Sequence, residues 1–273
     1  MCNRRAGKCQ PSCGATSGAG RSRIGGPVLS IRNLSKSFYG TPVLNDINLD
    51  LSTGEVIGLI GRSGAGKSTL ARCLVGLERA EAGTITLQGN TIMPGTGLAR
   101  QKIQYLWQDP TQALSPYLSA KAAVLETLNG FDIGSRDQRN TRATDLLKQF
   151  EIDTGTAARK PYNLSGGQCQ RVTLSRALAA EPEVLILDEP LSSLDMATQV
   201  AALNTLKTAR QQRNISMLIV SHDLATLRQI ADKVAVLDEG RIVEFLPIEQ
   251  FAARARHPLA RAYAETLAPK GRR

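Results

Sequence analysis

The chain has 273 residues, of which 42% are hydrophobic and 21% are charged, so it is long enough for one large or two modest domains with a buried core. It contains no run of about 18 or more apolar residues, which argues against a membrane-spanning helix, and its N-terminus lacks the apolar region of a secretory signal. We therefore expect a cytoplasmic protein.

The net charge of +10 comes from the two ends of the chain. Residues 1–27 carry five basic residues and no acidic residue, while residues 252–273 carry six basic residues and one acidic residue. The remaining 23 basic and 23 acidic residues balance. We interpret residues 1–27 as a disordered basic tail and residues 252–273 as a basic C-terminal tail. Solvated tails of this kind also suit an anionic membrane surface, and we expect no nucleic acid as a partner.

Three of the five cysteines lie in the glycine- and serine-rich head, namely Cys2, Cys9 and Cys13. Clustered thiolates can hold a soft metal, but the composition favours a disordered extension. Cys73 lies in an apolar helical pattern and is expected in the core, because free cysteine packs as a small hydrophobic residue.

The ordered chain is predicted to begin near residue 28 with a β-hairpin. Alternating residues that include Leu29 and Ile31 predict its first strand, and "VLNDINLDLS" predicts the partner. An apolar run from Val56 to Ile60 predicts a third, buried strand that enters a glycine-rich loop. The loop opens into a helix whose apolar residues recur at helical spacing: Leu70, Cys73, Leu74 and Leu77.

This loop, from Gly61 to Ser68, matches the pattern G-x-x-x-x-G-K-[ST]. A triphosphate needs several converging N–H donors, and small residues let the backbone wrap closely enough to supply them. Lys67 provides a charge for the β- and γ-phosphates, Ser68 a hydroxyl ligand for Mg²⁺, and the helix N-terminus its positive end. Together with the strand–loop–helix context, the pattern predicts nucleotide binding.

Two further apolar runs end in polar residues that can reach the same phosphates. "EVLILDEP" places Asp188 and Glu189 at the end of one strand, and "SMLIVSH" places His222 at the end of another. In an open parallel α/β sheet, ligands bind beyond the carboxyl ends of the strands. Asp188 therefore suits the Mg²⁺ shell, Glu189 a water positioned for in-line attack, and His222 the γ-phosphate.

A second small-residue loop, in "NLSGGQCQR" at residues 163–171, also opens a helix. Ser165 is a natural N-cap, and Val172 and Leu178 are expected to face inward. The loop offers N–H groups and a hydroxyl to a phosphate, although the chain already has a phosphate site. Residues 110–162 are rich in helix formers without a strong strand run, so we expect a helical subdomain there.

These motifs, in this order, resemble the ATP-binding cassette (ABC) ATPase family over nearly all of residues 28–245. The resemblance implies an α/β P-loop NTPase fold with a RecA-like α/β core, an N-terminal antiparallel β subdomain and an inserted helical subdomain at about residues 110–179. We place the ATPase domain at residues 28–251. It also implies that two cassettes meet head to tail, so that each "LSGGQ" signature closes over the ATP bound by its partner.

The family's catalytic roles fall on matching positions of this sequence. The resemblance implies that Glu189 is the general base and His222 the switch histidine. Gln108, in "YLWQDP", is implied to sense Mg²⁺ and to couple to a membrane partner. The implied Mg²⁺ ligands are Ser68, Gln108 and Asp188, the last as the Walker B carboxylate.

The implied ATP contacts come from an adenine-stacking aromatic residue, the P-loop, the signature and the D-loop in "SSLD". Phe38 fits the stacking role best, with Tyr39 as the alternative. Cys169, which replaces the more usual polar residue after the signature, is either a tolerated helix residue or a source of thiol sensitivity. The implied ATP-binding residues are Phe38, Gly61, Arg62, Ser63, Gly64, Ala65, Gly66, Lys67, Ser68, Thr69, Ser165, Gly166, Gly167, Gln168 and Asp195.

Two partial matches indicate a subgroup. "WQDPTQALSP" resembles the stretch after the Q-loop in ATPases of oligopeptide, dipeptide and nickel importers, with Ser115 in place of Asn. "RHPLARAYAETLAP" resembles their C-terminal His-Pro-aromatic-Thr-Arg-Ala-Leu element, with departures at Leu259 and Ala260; the alternative is a basic amphipathic helix without subgroup meaning.

Importers of this subgroup typically use two different ATPases, and the resemblance implies that this chain is the second of them. It would couple ATP hydrolysis to uptake of nickel, a metal chelate or short peptides. Its implied partners are two transmembrane permease subunits, an extracytoplasmic substrate-binding protein and a second ABC ATPase, homologous or identical. The chain is then expected at the cytoplasmic face of the plasma membrane. The alternatives are an exporter or lipoprotein-release ATPase and, more distantly, a DNA-repair-type ABC ATPase, which would need a long coiled-coil insertion that the sequence lacks.

Overall fold

The computed structural model describes residues 26–107, 109, 110, 112–191 and 196–267. Their strands form a four-stranded and a six-stranded sheet. The strands are β1 (Pro27–Phe38), β2 (Thr41–Ser52), β3 (Val56–Gly61), β4 (Ala82–Leu87), β5 (Asn90–Thr91), β6 (Ile103–Leu106), β7 (Val184–Asp188), β8 (Ser216–Val220), β9 (Lys233–Asp238) and β10 (Arg241–Pro247). The helices are α1 (Lys67–Leu74), α2 (Gly97–Lys102), α3 (Ala120–Gly130), α4 (Arg136–Gln149), α5 (Thr154–Ala157), α6 (Gly166–Ala179), α7 (Met196–Arg213), α8 (Leu224–Leu227), α9 (Ile248–Arg254) and α10 (Pro258–Thr266).

The six-stranded sheet has the order β10-β9-β3-β8-β7-β6 and is parallel except for β10. Its central strands are continuous apolar runs because both of their faces are buried. Leu185 and Leu187 face a core shared with the helices, while Val184 and Ile186 face a core shared with the antiparallel sheet. The carboxyl ends of β3, β7 and β8 therefore lie side by side, as predicted.

The four-stranded sheet is antiparallel, with the order β2-β1-β4-β5. The predicted hairpin is confirmed, since Leu29 pairs with Leu51 and Phe38 with Thr41. Between residues 112 and 165 the described residues form helices and turns and no strand, in agreement with the helix-rich prediction. No helix in the described ranges combines the length and the apolar character that a bilayer crossing requires.

The prediction for the first helix is wrong at its C-terminal end. α1 ends at Leu74, and Leu77 lies beyond it with 52% of its side chain exposed. Gly76 adopts φ +76°, and a Cβ there would lie 2.3 Å from the carbonyl oxygen of Pro94. The chain therefore turns sharply beneath a neighbouring loop, where a continuing helix could not pass.

The expectation of a solvated C-terminal tail is also wrong for residues 252–267. This stretch completes α9 and forms α10, which pack against the helical side of the core through Phe251, Leu259 and Ala260, all buried. The charge count alone overlooked the apolar spacing, whereas the alternative of an amphipathic helix agrees with α10. Residues 268–273 and the N-terminal residues 1–25, with Cys2, Cys9 and Cys13, lie outside the described residues.

Candidate functional site

The glycine-rich loop packs against neighbouring strands on one side and is open on the other. Gly61 ends β3, and a Cβ on it would lie 2.1 Å from the carbonyl oxygen of Leu237. Gly66, at φ +104°, lies against the backbone of Val43. A Cβ on Gly64 would meet no described atom within 4 Å. The loop backbone is thus fixed by the adjoining strands, while its outer side is free to approach a ligand.

Lys67 is 9% exposed and points into the loop. Its Nζ donates hydrogen bonds to the carbonyl oxygens of Gly61 and Arg62, both at 2.9 Å. Burial lowers the pKa of Lys67, and the charges of Glu189 and Asp188 oppose this effect without cancelling it. The loop therefore holds a partly desolvated ammonium group next to two carboxylates.

Asp188, at the end of β7, is 6% exposed and accepts a hydrogen bond from the hydroxyl of Tyr105 at 2.9 Å. Burial, and then the Asp188 charge, raise the pKa of Tyr105 well above its ordinary value. The tyrosine hydroxyl therefore stays protonated and orients the carboxylate. Tyr105 lies on β6, next to β7, and sequence reasoning missed it.

Glu189 and His222 meet above the loop, as predicted. A carboxylate oxygen of Glu189 lies 3.4 Å from Nδ1 of His222. Glu189 has φ +46°, a conformation that is costly for a residue with a side chain and is common at functional sites. Its backbone N–H is bound to the carbonyl of Val220 at 2.9 Å, which ties the turn after β7 to β8.

The glycine-rich loop, Glu189 and His222 enclose one cavity of about 450 Å³, and Asp188 is not among the described residues that line it. Among described residues, it is lined by P-loop residues between Gly61 and Thr69, by Glu189 and His222, and by Tyr263, which was not predicted. The volume lies within the usual range for small-molecule sites, about 300–1,000 Å³. The predicted residues Gln108 and Asp195 lie outside the described residues.

The predicted aromatic pair lies at the end of β1. Phe38 is half-buried, and the ammonium of Lys36 lies 4.7 Å from its ring centroid. Tyr39 is fully exposed. Neither residue lines the 450 Å³ cavity, so the adenine-stacking role stays a prediction.

The second small-residue loop begins α6 with a capping box. Ser165 Oγ accepts from the N–H of Gln168 at 3.2 Å, and the Gln168 side chain accepts from the N–H of Ser165 at 3.0 Å. Ser165 and Gly166 are exposed, and no residue from 165–168 is among the described residues that line the cavity. Val172 and Leu178 are buried, as predicted.

Cys169, by contrast, faces the interior. It is 0% exposed, its Sγ lies 3.6 Å from the carbonyl oxygen of Pro161, and burial raises the pKa of its thiol. Thiol sensitivity requires an accessible thiolate. In this structure Cys169 is a packed helix residue, the first of the two interpretations above.

The oxygen donors Ser68 and Asp188 near the loop are of the kind that binds Mg²⁺. Ser68 follows Lys67 in the first turn of α1, and Asp188 is the nearby buried carboxylate. Mg²⁺ commonly binds through one or two protein oxygens, phosphates and water. No group of three or more His, Cys, Asp or Glu side chains within the described ranges could hold a metal by itself.

Comparisons with known proteins identify relatives of this chain. The family model described as "ABC transporter" matches residues 44–192. A Brucella ovis protein, named provisionally as a peptide import ATP-binding protein, is 38% identical over 249 residues, which cover 88% of this chain and 78% of that protein. A Brucella abortus protein with the same provisional name is 38% identical over 84% of this chain and 70% of its own length.

Solved structures share the fold. The dimeric structure of the ATP-binding cassette MJ0796, in a post-hydrolysis state with ADP and Pi, has a TM-score of 0.71 and 26% identity, covering 81% of this chain and 98% of that one. The cbiO1 protein from Clostridium perfringens, part of the ABC transporter complex cbiONQ, has a TM-score of 0.74 and 27% identity, covering 84% of this chain and 92% of that one.

Proposed function

The chain belongs to the ABC transporter family of ATP-binding proteins and is an ATPase, and on this premise we propose that it energises a membrane importer for short peptides. The observation that carries the ATP-driven part of the proposal is that Lys67, Glu189 and His222 meet at one cavity. No residue of the signature loop is among the described residues that line it. The peptide-import names of the Brucella relatives support the cargo class.

In the proposed reaction, the Lys67 ammonium turns from the loop carbonyls to the β- and γ-phosphates of ATP. Glu189 accepts a proton from the water that attacks the γ-phosphorus; the bond from this phosphorus to the bridging oxygen breaks, and ADP and phosphate leave. His222, in contact with Glu189, holds the γ-phosphate side of the cavity. Mg²⁺, when bound, neutralises phosphate charge, and Ser68, Asp188 and Gln108 would hold it. Tyr105 keeps the Asp188 carboxylate oriented.

The signature loop is proposed to act on the nucleotide of a partner ATPase. Ser165 and Gly166 are exposed at the N-terminus of α6, where N–H groups favour an anion. The dimeric state of the MJ0796 relative supports this arrangement. The partner is a homologous ATPase or a second copy of this chain, because either provides the complementary P-loop and signature.

A permease helix is the proposed occupant of a second cavity, of about 550 Å³, beside α3 and α6. Its wall includes Trp107, which is 41% exposed and adjacent in sequence to Gln108, and Leu77, which is 52% exposed. Exposed apolar side chains at a cavity mark a docking surface. Two permease subunits and an extracytoplasmic binding protein would complete the importer, with this chain peripheral at the cytoplasmic face.

Uptake assays test the importer. Cells lacking the gene are given a labelled dipeptide or labelled nickel, and are complemented with either the original chain or Lys67→Ala. We expect loss of dipeptide uptake that only the original chain restores. Loss of nickel uptake alone would assign a metal cargo, and loss of neither would contradict import of these cargos and favour an exporter or lipoprotein-release system.

Replacing the signature serine tests its proposed action on the partner's nucleotide. Ser165→Phe should abolish hydrolysis in the assembled ATPase pair while the isolated chain keeps its ATP affinity, measured by equilibrium titration. Lys67→Ala serves as the control that loses affinity in the isolated chain. A large loss of affinity in isolated Ser165→Phe would place the signature at its own chain's nucleotide and contradict the proposal.

A further inference from the structure

The C-terminal helix α10 reaches the P-loop through one side chain. The hydroxyl of Tyr263 donates a hydrogen bond to the carbonyl oxygen of Gly61 at 2.9 Å. Lys67 Nζ donates to the same oxygen, also at 2.9 Å. Partial burial raises the pKa of Tyr263, so its hydroxyl stays protonated as a donor. The first carbonyl of the P-loop is therefore shared by two donors from distant parts of the chain.

The position of α10 is set by contacts away from the nucleotide cavity. Leu259 and Ala260 are buried in the helical side of the core. At the start of the helix, the carboxylate of Glu244 accepts hydrogen bonds from the backbone N–H groups of Arg256 and His257, both at 2.9 Å. α10 can therefore hold a P-loop atom in place without support from a bound nucleotide.

We propose that Tyr263 is a positioning residue that holds the Gly61 carbonyl when nucleotide draws Lys67 away. The inference rests on the proposed contact of Lys67 with the phosphates and does not depend on the importer. Once Lys67 turns outward, the Gly61 oxygen retains Tyr263 as the donor that the structure shows. Gly61 is buried against Leu237, so a carbonyl without a donor would be costly in the bound state.

This role predicts a loss that appears on nucleotide binding. In Tyr263→Phe, the free protein keeps the Lys67 hydrogen bond to Gly61, so its melting temperature should stay close to that of the original chain. Binding of MgATP removes that remaining donor, and the dissociation constant should rise about fivefold, the equivalent of one typical hydrogen bond.

The test is equilibrium titration of the full chain with a fluorescent ATP analogue and Mg²⁺, together with thermal melting without nucleotide. Tyr117→Phe removes the hydroxyl of a tyrosine that is 82% exposed and should match the original chain in both measurements. Leu259→Ala retains the Tyr263 hydroxyl but loosens the packing of α10, so its melting temperature should fall by several degrees.

An unchanged dissociation constant in Tyr263→Phe would overturn the proposal. So would a weaker affinity accompanied by a fall in melting temperature as large as that of Leu259→Ala, because this would show a loosened helix instead of a lost donor. Lys67→Ala tests the proposed contact of Lys67 with the phosphates separately from the role of Tyr263. If the ATP affinity of Lys67→Ala is unchanged, that contact fails as well.

Discussion

Alanine at two P-loop glycines should have very different costs, although Gly61 and Gly64 lie three residues apart. At Gly61 the new Cβ would lie 2.1 Å from the carbonyl oxygen of Leu237, an overlap of about 1 Å with backbone. Gly61 and Leu237 are partners in the β3–β9 ladder, so neither can shift without breaking sheet hydrogen bonds. We expect Gly61→Ala to destabilise the fold by about 3 kcal/mol or more.

At Gly64 a Cβ meets no described atom within 4 Å, and the cost comes from φ +78° alone. A left-handed conformation costs alanine about 1 kcal/mol. For a chain of this size, each kcal/mol shifts the melting temperature by about 2–4 °C. Gly61→Ala should therefore melt about 6–12 °C below the original chain, and Gly64→Ala about 2–4 °C below it.

The assay is thermal melting followed by circular dichroism without nucleotide, because bound ATP would add its own stabilisation. Gly64→Ala is the matched control, since it changes the same loop by the same atoms. Equal falls for the two variants, or a larger fall for Gly64→Ala, would refute the steric account of how β9 supports the loop.

The buried thiols and the anchor of α10 give two further predictions. Burial raises the pKa of the Cys73 thiol to about 11 and also raises that of Cys169. Both thiols should therefore react with iodoacetamide only after unfolding, which peptide mapping would show. Rapid labelling of either thiol in the native chain would contradict their burial. Partial burial raises the pKa of Glu244, but hydrogen bonds from the backbone N–H groups of His257 and Arg256 outweigh this and hold the pKa below its ordinary value. Its stabilising contribution is therefore present above the ordinary pKa of a glutamate and is lost as the pH falls through the lower pKa of the folded state. At pH 7, Glu244→Gln should be less stable than the original chain by about 1 kcal/mol, as measured by denaturant titration. This difference should vanish in acid. If it persists there, the charge of Glu244 has no role.

The sequence predicted the parts of the site that depend on local pattern. The P-loop, Asp188, Glu189 and His222 each follow an apolar strand, and parallel strands bring their carboxyl ends together. Gly76 is a glycine of the kind that ends helices, but the prediction of α1 used only the spacing of its apolar residues.

Two tyrosines of the site could not be predicted in this way because their partners are remote. The hydroxyl of Tyr105 binds a carboxylate 83 residues away, and that of Tyr263 binds a carbonyl 202 residues away. Neither contact has a local motif. The spacing of Leu259 and Tyr263 along one helical face was the available signal that the C-terminal residues pack against the body.

The measurement that tests the account most directly is the mass of Glu189→Gln by light scattering in saturating MgATP, alone and mixed with its partner ATPase. Removing the general base should slow hydrolysis about 10²–10⁴-fold and keep ATP bound, so a dimer should accumulate. The same variant carrying Ser165→Phe should remain monomeric, because its signature can no longer close over the partner's ATP. A Glu189→Gln chain that stays monomeric both alone and when mixed with its partner ATPase would contradict the ATP-dependent pairing on which the proposed function depends.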